Sequence, residues 1–420
     1  MPLPTNRPRD AHAHILLHGR ALSMPSLARC MTRAQGLATI SEAARGVQPG
    51  RWLVACSMRS EGWDDPRPPT RVELDRECPS SPCCVWSFDQ HTIVANTRAL
   101  ESAGIRRGTP NPAGGIIVRD DRGDPTGLLL ESAAMLLWRA VPEPTAAESE
   151  RYVRAGVDHL ASLGFAEVHE LHAPAVLGPA LARLADSGGL AMRVRLYAPF
   201  ARIEEEIEAA RHYTRDLVTL DGAKIFVDGT LNARTAWMLE PYSDPIASHP
   251  RGTPMMSAHE VEEAIRRVDR LGLPLAAHAI GDAAVRAVLD AVEAVKPRTP
   301  GFRIEHAELI HPSDVPRFAR LGVTCGVQPC HLLADIEALR RSLSDRLDRV
   351  LPLRSLVSAG CLPNELLLFG SDVPIVRADP EDSIQAAVHR GRPGRPSDER
   401  IAPSEAISEQ EAWSAFGVVR

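Results

Sequence analysis

GLPLAAHAIG, residues 272–281, is an almost unbroken apolar run that starts on one glycine, ends on another, and carries a single histidine near its end. A run of this kind reads as a strand buried on both faces, as in a parallel sheet. The segment before it, SAHEVEEAIRRVDRLG (257–272), opens on Ser257 with Glu260 three positions later and stops at Gly272. That is a capping box followed by a glycine stop, so it predicts a helix. The segment after it, DAAVRAVLDAVEAV (282–295), sets Val285, Val288, Leu289 and Val292 along one helical face. Helix, buried strand, helix is the repeat of a parallel α/β fold.

The same unit recurs through the second half of the chain. Strand-like runs occur at GFAEVHEL (164–171), MRVRLYAPF (192–200), LDGAKIFVDG (220–229), GFRIEHAEL (301–309), GVTCGVQP (322–329) and LLLFGSDVP (366–374). RYVRAGVDHLASLG (151–164) leads into the first of these as a helix, and Asp379, Pro380 and Gly391 bracket another. Seven strands result, and DAHAH (10–14) makes the eighth, which predicts a (β/α)8 TIM barrel. A plain barrel needs about 250 residues, so much of the chain is surplus. The segments WDDPRPPTR, NPAGGIIVRDDRGDPTG and VPEPT show no steady helix–strand rhythm. The predicted organisation is a first barrel strand in 1–14, an insertion on the active-site side in 15–150, the rest of the barrel in 151–391 and a tail in 392–420.

Composition narrows the partners. The chain has 420 residues, 44% hydrophobic and 24% charged, which is enough to bury a sizeable core. A formal charge of −6 gives no electrostatic reason to expect nucleic acid or an anionic membrane. No apolar stretch reaches the roughly 20 residues of a membrane span, and the first residues lack the apolar core of a signal peptide. The expectation is a cytoplasmic protein acting on a small molecule, as a possible homo-oligomer. Its cysteines (30, 56, 78, 83, 84, 325, 330, 361) form no CxxC pair, so reduced thiols are expected instead of a zinc module.

Polar residues in buried strands point to chemistry. On a strand His12 and His14 project to one face and can share an ion, whereas on a helix they lie about 200° apart. Lys224, His278, His306 and Asp372 fall at or near the C-terminal ends of the fourth, fifth, sixth and eighth predicted strands. That end is where barrel enzymes place their active sites. A lone buried histidine reads as a satisfied core residue. Ligand-type residues on five strands, all at the same end, read as a metal site. His18 lies on the path out of the first strand and is left out. His169 can stand behind the site, Glu170 is expected to point the opposite way, and Arg234 either binds a substrate carboxylate or orders its loop.

The order HxH, Lys, His, His, Asp resembles the amidohydrolase superfamily of metal-dependent hydrolases. The motifs KIFVDGTLNARTAWM (224–238), AAHAIGDAAV (276–285), RIEHAELI (303–310), VQPCHLLAD (327–335) and FGSDVPI (369–375) narrow the resemblance to amidohydrolase family 3, which includes N-substituted formamide deformylase-like enzymes. DQHTIVANTRAL (89–100) and DPTGLLLE (124–131) resemble its substrate-side segments. The resemblance implies one or two divalent metals per chain, zinc first, with iron or manganese as the alternatives. His12 and His14 would hold one ion and His278 and His306 the other. Lys224, carboxylated by CO2, would bridge them, and Asp372 would serve as both ligand and proton acceptor. It also makes His91, Asn96, Glu131 and His331 candidate substrate contacts. The implied reaction is hydrolysis of a C–N bond in an amide, formamide or cyclic amide. An ester or lactone hydrolase on the same site is the alternative, as is an inactive relic that binds small molecules. Members of the family usually carry a β-sandwich built from segments flanking the barrel. Most of it is missing here, with the 392–420 tail in place of its C-terminal part, which implies uncovered apolar barrel surface.

Overall fold

The computed structural model describes residues 7–60, 63–88, 92–112, 115–396 and 399–418. Its strands in chain order are β1 (Arg9–Ala13), β2 (Leu53–Met58), β3 (Cys83–Ser87), β4 (Thr92–Ala95), β5 (Gly115–Arg119), β6 (Pro125–Glu131) and β7 (Glu167–Leu171). They continue as β8 (Arg193–Pro199), β9 (Val218–Phe226), β10 (Leu275–Ala279), β11 (Arg303–His306), β12 (Thr324–Val327) and β13 (Leu367–Phe369). Contacts divide the chain into two compact units, Met1–Gly19 with Ser149–Arg420, and Arg20–Glu148.

The larger unit is the predicted barrel. Its eight strands run in the order β1-β7-β8-β9-β10-β11-β12-β13, and every pairing is parallel. The ring closes where Ala13 bridges Val373 in parallel, with His14 N donating to Val373 O at 3.0 Å and Asp372 N donating to His12 O at 2.7 Å. Helices return the chain between strands and bury the apolar faces read from the sequence. Val261, Ile265 and Val268 on helix 258–270 are buried, as are Val285, Val288, Leu289 and Val292 on helix 282–295. The capping box at Ser257 and Glu260 is formed.

One layer of the interior is polar and paired. Arg303 on β11 forms an ion pair with Glu305, lies within 2.9 Å of His169 Nδ1 through Nη1, and donates through Nη2 to Ala11 O at 2.9 Å. His169 in turn pairs with Glu167 at 2.9 Å. Gly326 makes room for this layer, because a Cβ there would lie 2.7 Å from both Glu305 carboxylate oxygens.

The tail is part of the barrel unit. Helix 409–415 carries buried Ala412 and Trp413, and Phe416 stacks edge to face on Phe369 with ring centres 5.6 Å apart. Arg9 N donates to Phe416 O at 2.7 Å, tying the tail to the start of β1. Apolar barrel surface near Phe165, Phe369 and the start of β1 is therefore covered by the chain's own end.

The smaller unit corrects the reading of this region as lacking rhythm. It holds a five-stranded sheet in the order β2-β3-β4-β6-β5, parallel between β2 and β3 and antiparallel elsewhere. Buried clusters of its own include Ile93, Leu129 and Leu137 in one and Ile40, Leu53 and Leu74 in another. Its strands are only four to seven residues long. Runs this short leave little periodicity to read. Among the described residues no helix is long and apolar enough to cross a membrane, and the eight cysteines are free thiols.

Candidate metal centre

Five of the eight barrel strands deliver the six predicted ligand residues to one region. His12 lies on β1 and His14 just follows it; Lys224 lies on β9, His278 on β10, His306 closes β11, and Asp372 follows β13. The two histidines of the HxH pair do share a target. His12 Nε2 lies 3.4 Å and His14 Nε2 3.0 Å from Asp372 Oδ1. The imidazoles form a continuous series, with ring centres 5.5 Å apart for His12 and His14, 4.9 Å for His12 and His306, and 4.4 Å for His278 and His306.

Backbone conformation makes this convergence possible. His306 and Asp372 have φ of 71° and 60°, in the left-handed region that residues other than glycine rarely adopt. Along β11, Arg303 and Glu305 share the inward face by alternation, so a regular strand would send His306 outward. The positive φ coincides with His306 reaching the ring cluster. Non-glycine residues held this way cluster at functional sites.

A set of carboxylates stands behind the ligands. Glu305 Oε2 meets His12 Nδ1 at 2.7 Å. Glu170 Oε1 is 3.4 Å from His14 Nδ1, and its Oε2 accepts from Ile15 N at 2.6 Å. Asp10 accepts from His12 N at 3.1 Å, from Ser371 N at 3.0 Å and from Ser371 Oγ at 2.6 Å, fixing the approach to Asp372. Asp228 accepts from the amides of Trp237, Ile280 and Gly281 at 2.8–3.0 Å and lies 3.7 Å from His278 Nε2. Such partners orient metal-binding imidazoles and set their tautomers. Sequence reasoning missed Glu305, Asp10 and Asp228, and it sent Glu170 away from the site. Their signal was present, since a carboxylate within a buried strand needs a partner as much as a histidine does.

Charge in the cluster is strongly shifted. Burial lowers His12 and His306 well below the ordinary histidine value, and burial with the Lys224 charge takes His278 down to about 4. Burial also lowers the Lys224 ammonium to about 8, against the pull of Glu305 and Asp372. Burial opposes ionisation of Asp372, but His12, His14 and His331 outweigh it and hold the carboxyl below its usual range. His14 is raised to about 9, because Asp372 and Glu170 outweigh its burial.

The donor set fits a divalent metal. Lys224 Nζ, His306 Nδ1 and His331 Nε2 are buried with no hydrogen-bond partner among the described residues, although buried polar atoms are normally satisfied. His12, His306 and Asp372 offer ligand atoms within 4.8 Å of one another. Neutral imidazoles, a carboxylate and a lysine able to lose its proton are the groups that bind zinc-like ions or, for the lysine, take up CO2.

The remaining candidates divide. His331, near the start of helix 329–342, joins the cluster; its Nε2 is 3.8 Å from Asp372 Oδ2 and its ring centre 6.2 Å from that of His306. Asn96 is not free to touch substrate. It is fully buried, its Oδ1 accepts from Cys83 N and Ala99 N, and its Nδ2 donates to Cys78 O and Ser81 O, so it caps helix 97–102 and clamps a loop. Glu131 lies half-buried at the junction of β6 and helix 132–138 with φ of 55°. His91 lies outside the described residues. Arg234 orders its loop, pairing with both oxygens of Asp244 at 2.7 and 3.0 Å. His18 turns to His159 at 2.9 Å, and His169 belongs to the Arg303 layer.

Comparison with known proteins agrees with this geometry. The amidohydrolase family profile matches residues 9–417. The chain is 30% identical to the Bacillus subtilis protein YtcJ over 98% of its own length and 77% of that protein's. It is 28% identical to the N-substituted formamide deformylase of Arthrobacter pascens, over 97% and 77% of the two chains. Among solved structures, an uncharacterized metal-dependent hydrolase of Pyrococcus horikoshii superposes with a TM-score of 0.79 at 26% identity, covering 97% of this chain and 78% of the other. With that match spanning the barrel, the ligand strands and the tail, the chain belongs to the amidohydrolase family.

Proposed function

We propose that this protein is a metal-dependent hydrolase that cleaves a C–N bond in a small amide, formamide or cyclic amide. The observation that carries the reading is the convergence of His12, His14, Lys224, His278, His306 and Asp372 at the ends of five strands, with Lys224 Nζ buried and lacking a hydrogen-bond partner among the described residues. His12 and His14 with Asp372 would hold one ion and His278 with His306 a second, most simply zinc, with Lys224 as a CO2-carboxylated bridge. Divalent ions bound there would activate a water and polarise the scissile carbonyl.

The protein's own groups do the rest. Asp372 meets His12 and His14 through Oδ1 at 3.4 and 3.0 Å, and its Oδ2 lies 3.8 Å from His331 Nε2; this carboxylate would accept the proton of the attacking water and return it to the departing nitrogen. Glu305 and Glu170 keep His12 and His14 turned toward Asp372. His331 stands at the edge of the same space.

The test is metal content by mass spectrometry for wild type and Lys224→Ala, each purified with zinc and bicarbonate, joined to a hydrolysis panel of amides, formamides, lactones and esters. About two ions in wild type and fewer in the variant, with amides or formamides turned over, supports the reading. Turnover confined to esters or lactones would move the reaction to C–O bonds. A folded wild type that binds no metal would end the hydrolase reading.

A further inference from the structure

Beyond the six ligands, one more group of donors gathers at the same end of the barrel. His306, Glu308 and His331 offer ligand atoms that all lie within 4.8 Å of one another. Glu308 follows the two positive-φ residues His306 and Ala307, at 71° and 43°. Its backbone is fixed by Leu351 N donating to Glu308 O at 2.7 Å and by the bridge between Leu309 and Val350. The carboxylate is 14% exposed and the His331 side chain 11%, so neither is a solvated surface group.

Glu308 and His331 stand as an ion pair with no direct hydrogen bond between them. His331 Nδ1 and Glu308 Oε1 are 3.8 Å apart, too far for a hydrogen bond. Two donors on a tetrahedral ion with bonds of about 2.0–2.1 Å stand ~3.3 Å apart. A small inward movement of either side chain therefore suits a shared cation. His306 supplies a third donor atom, and its Nδ1 is buried with no hydrogen-bond partner among the described residues. Two imidazoles and one carboxylate are a set found on catalytic zinc ions.

We propose that Glu308 and His331, together with His306 of the six-residue set, form a seat for a divalent cation of the zinc class. The seat shares His306 with the main centre, so an ion there competes with or adjoins the one assigned to His278 and His306. Glu308 and His331 then act as direct ligands, and the seat does not depend on which bond the enzyme cleaves.

The test uses the full chain loaded with cobalt or zinc. In chelator competition, Glu308→Gln should weaken one bound ion by more than ~100-fold, beyond the roughly 10–100-fold that loss of an outer partner costs. With Co2+ bound, Glu308→Cys or His331→Cys should show the near-ultraviolet thiolate-to-cobalt band, which a positioning role would not produce. Thermal melts of the metal-free variants check that each folds. A loss within the outer-partner range, or none, together with no thiolate band in either cysteine variant, overturns the seat. If wild type binds no divalent ion, the seat and the hydrolase reading fall together. If the band appears while no amide is hydrolysed, the seat stands and the proposed reaction falls.

Discussion

Glu305 holds His12 by its inner nitrogen: carboxylate Oε2 stands 2.7 Å from Nδ1, and Nε2 is thereby the nitrogen turned toward Asp372. The same carboxylate pairs with buried Arg303 through Oε1. One side chain therefore balances an interior cation and sets the direction of a ligand.

Removing that charge has two separable effects. Glu305→Gln leaves Arg303 uncompensated, a defect worth about 3–5 kcal/mol when one partner of a buried pair is lost. Urea unfolding of metal-free protein should show that loss. Chelator competition should show zinc held roughly 10–100-fold less tightly.

Two glycines give a graded prediction. A Cβ at Gly326 meets the ends of the Glu305 side chain at 2.7 Å, whereas one at Gly370 meets His12 backbone N at 2.4 Å. A side chain can shift and a paired strand cannot. Gly326→Ala should fold and bind metal more weakly; Gly370→Ala should lower the melting temperature sharply or fail to accumulate. Melts and metal content of the two purified variants distinguish these outcomes.

His18 predicts an acid limb. Burial, with the nearby His159 charge, lowers it to about 4 from an ordinary 6.5. Between those values the unfolded chain binds the proton and the folded chain does not, so stability is lost as pH falls from 6.5 toward 4. The slope is about 1.4 kcal/mol per pH unit, for up to ~3 kcal/mol in all. Denaturant midpoints measured across this range should fall in wild type and fall less steeply in His18→Gln, the remaining slope coming from the other buried histidines, His12, His169, His278 and His306.

Asn96→Ala should act on stability alone. The substitution removes a helix cap worth about 0.5–2 kcal/mol and strips partners from Cys83 N, Cys78 O and Ser81 O. Denaturant unfolding should register the loss. A changed KM in the folded variant would instead restore Asn96 as a substrate contact.

The barrel was legible because its strands are continuous apolar runs closed by glycines. All eight predicted strands overlap observed ones, from β1 around His12 to β13 before Asp372. The six residues at their ends gather as a cluster for the same reason. Side-chain direction was harder to read. Alternation along β11 gives Glu305 and His306 opposite faces, yet Glu305 bonds His12 while His306, at φ 71°, packs its ring against those of His12 and His278. A dihedral reversal of this kind leaves no trace in composition. Glu170 eluded a simple rule because it reaches past its own strand to His14 and Ile15. In residues 20–148, Asn96 reads as a polar loop residue, and only the fold shows that its amide is spent on four backbone groups.

The seam between β1 and β13 also sets a timetable. Asp10 and Ser371, bonded across it, are 361 positions apart, so the ribosome releases the histidine pair long before the aspartate that completes the centre. At about 5–20 residues per second, that interval is on the order of half a minute. Throughout it, an ion caught by His12 and His14 would lack Asp372 and could escape again. On that reading stable loading waits for β13, and an ion seated there would fasten this strand to β1.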